Sequence, residues 1–214
     1  MVPFEPKGVT NIEGAFLWSL VGHIRPALIL ESGVSRGRST EILARAAERF
    51  GAMRHAAYEV EGKFERHVRR KISGYIKTQY TIADSATGFA DELAIGKTSG
   101  AVKRIFAFVD GPKSGKPLRR VITTLRGANV EAICCHDCYP GGRTRSDFEQ
   151  ACFGTWPSGK MVFTDADMLS EYASLNDWIC AAIAAAKGQE AEEFGAKTAC
   201  LGLFGPGGFG WAKK

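Results

Sequence analysis

The chain has 214 residues, of which 45% are apolar and 24% are charged, as is typical of one globular domain with room for a full core. No apolar run approaches the roughly 18 residues that a membrane helix needs, so the sequence disfavours a membrane protein. The formal net charge of +5 is too small to indicate a dedicated nucleic-acid binder, and a cytoplasmic location is expected because the first residues lack a signal-peptide pattern.

Short β-rich runs alternate with longer amphipathic runs along the chain. A helix is expected at residues 12–21 within a cap segment of residues 1–26, and a core follows over residues 27–204, with a glycine-rich tail at 205–214. This alternation predicts a single α/β domain with a doubly wound, mostly parallel sheet between two layers of helices. The predicted strands are 27–33, 55–60, 79–83, 105–110, 131–136, 161–164 and 198–204, and the predicted core helices are 39–50, 64–75, 116–126, 146–153 and 169–186.

The segment ESGVSRGRST, which begins at Glu31, joins the first strand to the first core helix. Gly33 and Gly37 allow a tight turn that approaches a ligand, and Ser39 or Thr40 is expected to cap the helix. The carboxylate of Glu31 would repel a phosphate but attract the ammonium of an amino acid. Because S-adenosylmethionine carries both an amino acid and a nucleoside, the turn predicts a site for that cofactor.

Polar residues also follow the next four strands, at the edge of a parallel sheet where ligands bind. Glu59 lies 22 residues past Gly37, near the offset of about 20 residues at which an acid contacts a ribose diol. Asp84 and Ser85 follow the third strand and are polar enough to contact an adenine. The fourth and fifth strands end in DGPK and HDCY, which supply Asp110, Lys113, His136 and Asp137.

Together, ESGVSRGRST at 31–40, AYEVE at 57–61, FVDGPKSG at 108–115 and HDCY at 136–139 resemble the motifs of class I S-adenosylmethionine-dependent methyltransferases, especially the small-molecule and sugar O-methyltransferases. The resemblance implies a Rossmann-like, seven-stranded sheet whose last strand runs antiparallel. It also implies cofactor contacts from Glu31, Gly33, Ser35, Gly37, Ser39 and Thr40 to the methionine part, from Glu59 to the ribose, from Asp84 and Ser85 to the adenine, and from Asp110. Ser35 replaces the middle glycine of the usual GxGxG motif.

Two routes remain open for activating an acceptor oxygen. In one, a cation such as Mg²⁺ binds the oxygen and lowers its pKa; in the other, a side chain acts as general base. The spacing of Asp110 and Lys113, with the later Asp137, is similar to that of metal-dependent catechol-type O-methyltransferases, which implies two aspartate ligands and a lysine base. Cys138 departs from that family, which has asparagine there, since cysteine binds magnesium poorly. His136 is a second candidate for the base.

The acceptor is expected to be a small hydroxyl compound, such as a sugar or a nucleotide-linked sugar. Arg143 and Arg145 lie in a predicted loop where they could contact acidic or polyhydroxyl groups, and a second subunit could complete the pocket in a homodimer. The basic residues between 66 and 71 are interpreted as a solvated helix face. Two alternatives are an NAD(P)-dependent oxidoreductase, which the missing GxGxxG pattern disfavours, and a non-catalytic cofactor-binding module.

Overall fold

The computed structural model describes residues 9, 11–99, 104–164 and 201–208. In these ranges helices and strands alternate. The elements are α1 (Asn11–Ile24), β1 (Leu28–Ser32), α2 (Arg38–Phe50), β2 (Arg54–Glu59), a 3₁₀ turn (Gly62–Phe64), α3 (Glu65–Ile72), β3 (Thr78–Ile82), α4 (Ser85–Ser99), β4 (Ile105–Val109), α5 (Gly115–Thr124), β5 (Val130–Cys135), α6 (Arg143–Thr155), β6 (Lys160–Phe163) and β7 (Gly202–Gly205).

The strands form one seven-stranded sheet in the order β3-β2-β1-β4-β5-β7-β6. The pairs among β1 to β5 are parallel, whereas β7 runs antiparallel to both β5 and β6. The mostly parallel sheet with an antiparallel last strand is therefore confirmed. The last predicted strand, 198–204, overlaps β7, and its first three residues lie outside the described ranges.

Helices cover both faces of the sheet. Ile29 of β1 packs with α1 and α2, while its neighbours Leu28 and Leu30 pack with α4, α5 and α6 on the opposite face. Every residue of β1 is buried, as expected for a central parallel strand covered on both sides. The carboxyl ends of β1 to β5 consequently meet at one edge of the sheet, where the polar residues stand.

Two helices differ from the sequence prediction. Helix α4 is not predicted, because its apolar residues do not gather on one face and it contains Gly88. That glycine is required by packing, since a Cβ there would lie 2.1 Å from Cε1 of the Tyr58 ring. Helix α6 begins at Arg143, so the placement of Arg143 and Arg145 in a loop is wrong: both lie in its first turn.

The predicted helix 169–186 lies outside the described residues. None of the helices in the ranges that the structure describes is both long and apolar enough to span a membrane.

Candidate functional site

The loop after β1 has a left-handed backbone at every second residue. The φ angles are 83° at Gly33, 47° at Ser35 and 74° at Gly37. Residues with a Cβ seldom adopt such angles, because the Cβ crowds the following carbonyl oxygen. Ser35 therefore keeps the backbone conformation of the glycine that it replaces. The glycine loop, defined here as residues 33–37, thus has the shape expected of GxGxG although the sequence supplies GxSxG.

The glycine loop packs closely onto the turn after β4. A Cβ at Gly33 would lie only 2.5 Å from the main-chain nitrogen of Gly111. The carbonyl oxygen of Ser32 accepts hydrogen bonds from the main-chain N–H groups of Asp110 at 2.7 Å and Gly111 at 3.0 Å, and the Ser32 hydroxyl donates to the Gly111 carbonyl. The loop and the turn that carries Asp110 are therefore fixed against each other.

Glu59 ends β2 directly beside the glycine loop. Its Oε2 accepts hydrogen bonds from the main-chain N–H groups of Val34 at 3.0 Å and Ser35 at 2.8 Å. Its Oε1 accepts from the main-chain N–H groups of Val60 at 2.9 Å and Glu61 at 3.3 Å. Hydrogen bonds to a charged acceptor are stronger than neutral ones. The residue predicted to contact a ribose therefore also holds the middle of the loop.

Glu31 is fully buried beneath the loop. Its Oε1 accepts a hydrogen bond of 2.6 Å from the Ser39 hydroxyl, and its Oε2 lies 3.2 Å from Nε2 of His55. The prediction that Ser39 or Thr40 caps α2 is wrong, because Gly37 occupies the N-cap position without a side-chain bond. Among the described residues, the buried Thr40 hydroxyl has no hydrogen-bond partner. Glu31 thus anchors the start of α2, and its contact with a ligand ammonium stays a prediction.

Asp84 and Ser85 stand where β3 passes into α4. Oδ1 of Asp84 accepts hydrogen bonds of 3.0 Å from both the main-chain N–H and the hydroxyl of Thr87, and it lies 3.4 Å from Nη2 of Arg120. The main-chain bond from Thr87 is the main cause that lowers the pKa of Asp84. Ser85 is buried. Asp84 therefore caps α4 at the predicted edge of the sheet, and the contact of Asp84 and Ser85 with adenine stays a prediction.

A cluster of charged side chains joins the ends of β4 and β5. Nδ1 of His136 lies 2.8 Å from Oδ1 of Asp110 and 3.4 Å from Oδ1 of Asp137. Nζ of Lys113 lies 3.0 Å from Oδ1 of Asp110 and also contacts Asp137. The structure therefore brings together the four residues that the sequence predicts for catalysis or metal binding. We refer to these four residues as the acid–base cluster.

Glu13 of α1 also reaches this cluster, although no sequence motif indicates it. Its Oε2 lies 3.2 Å from Nε2 of His136, and its side chain is only 3% exposed. Both ring nitrogens of His136 consequently face a carboxylate. The sequence offers one sign of this contact: Glu13 is an acidic residue among the apolar and small residues of α1. A carboxylate that is buried with such residues needs a partner.

The carboxylates keep the two basic groups of the cluster protonated. Burial alone would lower the pKa of His136, but the hydrogen bonds to Asp110 and Glu13 outweigh it and raise the pKa to about 10. Burial also opposes the charge of Lys113, yet Asp110 and Asp137 raise the pKa of its ammonium above the usual value. At neutral pH both groups therefore donate hydrogen bonds. If a bound cation engaged these carboxylates, the pKa of either group would fall and the group could act as a base.

The cluster also has the donor groups of a metal site. Asp110, His136 and Asp137 each offer one ligand atom, and these atoms lie within 4.8 Å of one another. Two carboxylate oxygens and one imidazole nitrogen suit a divalent first-row metal ion. His136 thus supplies the third donor that Cys138 fails to provide. The Cys138 thiol is buried and lies 4.0 Å from the His136 carbonyl oxygen.

The arginines predicted to contact an acceptor differ in their surroundings. Nε of Arg143 lies 3.4 Å from Oδ2 of Asp147, and the Arg143 side chain is 80% exposed. Arg145 stacks on the ring of Phe163, with its guanidinium carbon 3.6 Å from the ring centroid, and its Nε lies 3.8 Å from Glu149. Arg143 is therefore the more accessible of the two.

Comparisons with known proteins give matches in fold. No protein-family model matches the chain, and no curated protein matches its sequence. Cofactor-bound Rv0187 from MTB aligns with a TM-score of 0.56 at 18% identity, covering 95% of this chain and 83% of that one. The O-methyltransferase TomG from Streptomyces achromogenes, in complex with SAM, aligns with a TM-score of 0.55 at 15% identity over 92% and 81% of the two chains.

A third similar structure is CalS11, the TDP-rhamnose 3'-O-methyltransferase of calicheamicin biosynthesis. It aligns with a TM-score of 0.53 at 12% identity, covering 68% of this chain and 69% of that one. At these identities the likeness is one of fold, and it agrees with the seven-stranded sheet that the sequence resemblance implied.

Proposed function

We propose that this chain, whose Rossmann-like fold is that of S-adenosylmethionine-dependent methyltransferases, transfers a methyl group from that cofactor to a hydroxyl of a small molecule. The observation that carries the proposal is the glycine loop, which is left-handed at three alternate residues and packs on the turn that bears Asp110. A loop suited to close approach by a ligand thereby adjoins a cluster able to act on an oxygen.

In this proposal the residues at the first three strand ends hold the cofactor. Bound S-adenosylmethionine supplies an already activated methyl group, so the chain mainly has to bind it and position the acceptor. The glycine loop contacts the methionine part, Glu59 the ribose, and Asp84 with Ser85 the adenine. Glu59 then exchanges main-chain hydrogen bonds for ribose hydroxyls. Glu31, which bonds to Ser39 at the start of α2, lies at the end of β1 where its carboxylate would attract the ammonium.

The acid–base cluster is assigned to the acceptor oxygen. Asp110, His136 and Asp137 would hold a divalent cation, which when bound lowers the pKa of an acceptor hydroxyl. The nitrogen donor of His136 favours Mn²⁺ or another first-row ion over Mg²⁺. Lys113 lies between the carboxylates of Asp110 and Asp137. These carboxylates hold Lys113 as an ammonium. With a cation bound to both, Lys113 would be released as the amine that receives the proton of the acceptor.

The proposed acceptor is a sugar or another polyhydroxyl compound. CalS11, which acts on TDP-rhamnose and shares the fold, supports this class. The exposed guanidinium of Arg143 follows β5 closely in the chain and could bind the acidic or polyhydroxyl part of such a molecule. The acceptor class is tested separately from the cofactor, with a panel of sugars, nucleotide-linked sugars and catechols.

Calorimetry with purified protein tests the cofactor first. We expect S-adenosylhomocysteine to bind and NADH not to bind. Methyl transfer from S-adenosylmethionine is then measured on the acceptor panel with Mg²⁺, with Mn²⁺ and with a chelator. Binding of NADH alone would favour the oxidoreductase. Cofactor binding with no transfer to any acceptor would favour the non-catalytic module.

A further inference from the structure

A basic groove lies along the 3₁₀ turn and α3, and its lining residues have no role in the site described above. It has a volume of about 470 Å³ and is lined by Lys63, Phe64, Arg66, His67 and Arg70. None of these lining residues is acidic. The proposed function uses none of them, so the groove poses a separate question.

The basic residues of the groove follow a helical spacing. Positions 63, 66, 67 and 70 are related as i, i+3, i+4 and i+7, which places them along one side of the 3₁₀ turn and α3. At the rise of a helix this row is about 10 Å long. Like charges at such spacings repel each other. The row therefore favours an anion longer than a single small group.

Ion pairing distinguishes the groove from the rest of α3. Outside the groove, Nε of Arg69 lies 2.8 Å from Glu65, and Nζ of Lys71 lies 3.7 Å from Glu41. Within the part of the chain that the structure describes, no ion pair to a carboxylate forms at Lys63, Arg66 or Arg70. The sequence interpretation of a solvated face treated residues 66–71 alike, whereas within the described residues Arg66 and Arg70 lack the carboxylate partner that Arg69 and Lys71 have.

Phe64 adds an aromatic surface to the groove. The guanidinium carbon of Arg36 lies 5.2 Å from the Phe64 ring centroid, and Nζ of Lys63 lies 5.5 Å from it. Because Arg36 belongs to the glycine loop, the groove adjoins that loop. A row of cations beside an aromatic ring is the combination that binds phosphates and bases of single strands.

We propose that this groove binds the backbone of a single-stranded nucleic acid. The length of the cationic row suits successive phosphates, and its open, exposed form suits a strand that lies across the surface. The modest net charge of the whole chain disfavours a dedicated nucleic-acid binder. The number of phosphates that a surface can neutralise depends, however, on its local cations, and those of the groove form no ion pair to a carboxylate within the described residues. The strand is a partner of this surface and is not assigned as the methyl acceptor.

The test compares two double variants that remove the same charge from the same helix. Arg66→Gln/Arg70→Gln changes the groove, and Arg69→Gln/Lys71→Gln changes the paired cations. Binding of a labelled single-stranded RNA of about 12 nucleotides is followed by fluorescence anisotropy over a salt series. With about three phosphate contacts, log K should fall against log salt with a slope of about −2.

The groove variant should lose about 10-fold in affinity at low salt, and its slope should weaken by about 1.4, whereas the paired-cation variant should stay near wild type. An equal loss in both variants, or no RNA binding by the wild type, would overturn the proposal. Competition by ATP as strong as that by RNA would instead assign the groove to a nucleotide. Because S-adenosylhomocysteine binding is measured separately in the same variants, failure here is distinguishable from failure of the proposed function.

Discussion

Oε2 of Glu59 lies 2.8 Å from the main-chain nitrogen of Ser35, so the last residue of β2 binds the left-handed middle of the loop after β1. The two segments are separate in the sequence, yet one carboxylate fixes the loop and stands where a ribose is proposed to bind. Loop shape and cofactor affinity should therefore depend on the same side chain.

Replacement of Glu59 by Gln should weaken cofactor binding. The amide keeps one acceptor oxygen but directs an NH₂ group at main-chain donors, so charge-assisted bonds of about 1.5–3 kcal/mol are lost. We expect the affinity for S-adenosylhomocysteine to fall by about 10- to 100-fold, as measured by calorimetry. Glu61→Gln, at an exposed neighbour, is the control. Equal affinities of the two variants would remove Glu59 from the cofactor site.

Replacement of Ser35 by Gly should stabilise the protein. A left-handed conformation costs a residue with a Cβ roughly 1–2 kcal/mol, and the greater freedom of glycine in the unfolded chain offsets about 0.4–1 kcal/mol of the gain. The free energy of unfolding should rise by about 0.5–1 kcal/mol, measured in urea. Ser73→Gly, at an ordinary helical φ of −58°, should lower it. A loss in both variants would show that the left-handed φ of Ser35 carries no strain.

The sequence predicts the ends of the central strands well because a polar residue follows each buried run. Asp110 follows a strand that is buried throughout, His136 follows one that is buried except at Glu131, and parallel pairing brings the two to one edge. The inward position of Glu31 is harder to predict. This position depends on which face of β1 packs against α2. On that face His55 of β2 is the partner of the Glu31 carboxylate.

The sequence does not reveal the contact of Glu13 with His136 or the helix α4, because both depend on residues that are distant in the chain. Glu13 and His136 are 123 positions apart, and no local spacing relates them. Helix α4 is obscured because Gly88 weakens its helical pattern while making room for Tyr58. In both cases a residue that is unfavourable within its own helix is explained by the side chain that it meets in the folded protein: His136 for Glu13 and Tyr58 for Gly88.

The cap of α4 should give a pH-dependent contribution to stability. Hydrogen bonds from Thr87 lower the pKa of Asp84 in the folded state below the usual value of 3.8. The stabilisation is therefore fully present above that value and is lost as the pH falls through the lowered pKa. Asp84→Ala should lower the free energy of unfolding by about 1 kcal/mol at pH 7.

The difference between wild type and Asp84→Ala should shrink below about pH 4, because protonation weakens the wild-type cap. Urea unfolding at several pH values measures this. Asp91→Ala, at an exposed position later in α4, should lack the effect. A difference that stays constant down to pH 2 would show that the charge of Asp84 plays no part in the cap.

A metal ion at the acid–base cluster should depend on Asp137 and not on Cys138. Asp137→Asn removes a charged oxygen donor and should lower the affinity for Mn²⁺ by about 100-fold or more. Residues that only hydrogen-bond to a metal ligand already change metal affinity by about 10- to 100-fold, and the loss of a ligand itself should cost at least as much. Cys138→Ser should bind Mn²⁺ like the wild type, because the thiol is outside the donor group. Calorimetry without cofactor measures both. Wild-type affinity in Asp137→Asn would exclude this residue as a ligand.

Glu13 should act on the same site by orienting His136. Its carboxylate faces Nε2 while Nδ1 faces Asp110, so it fixes the ring with Nδ1 towards the proposed ion. Glu13→Ala should lower Mn²⁺ affinity by about 10- to 100-fold and leave S-adenosylhomocysteine affinity unchanged. Glu13→Gln keeps an acceptor for the Nε2–H group and should recover much of the loss.

Glu41→Gln, in α2, is the matched control, since Glu41 pairs with Lys71 and does not contact the acid–base cluster. An equal fall in the affinities for Mn²⁺ and S-adenosylhomocysteine in Glu13→Ala would indicate a general disturbance of α1. Because Glu13→Gln restores packing volume as well as an acceptor, the two explanations are separated by the selectivity of the loss: missing volume alone would lower the metal and cofactor affinities together. A selective, partly recovered loss of Mn²⁺ affinity would identify Glu13 as the residue that positions His136.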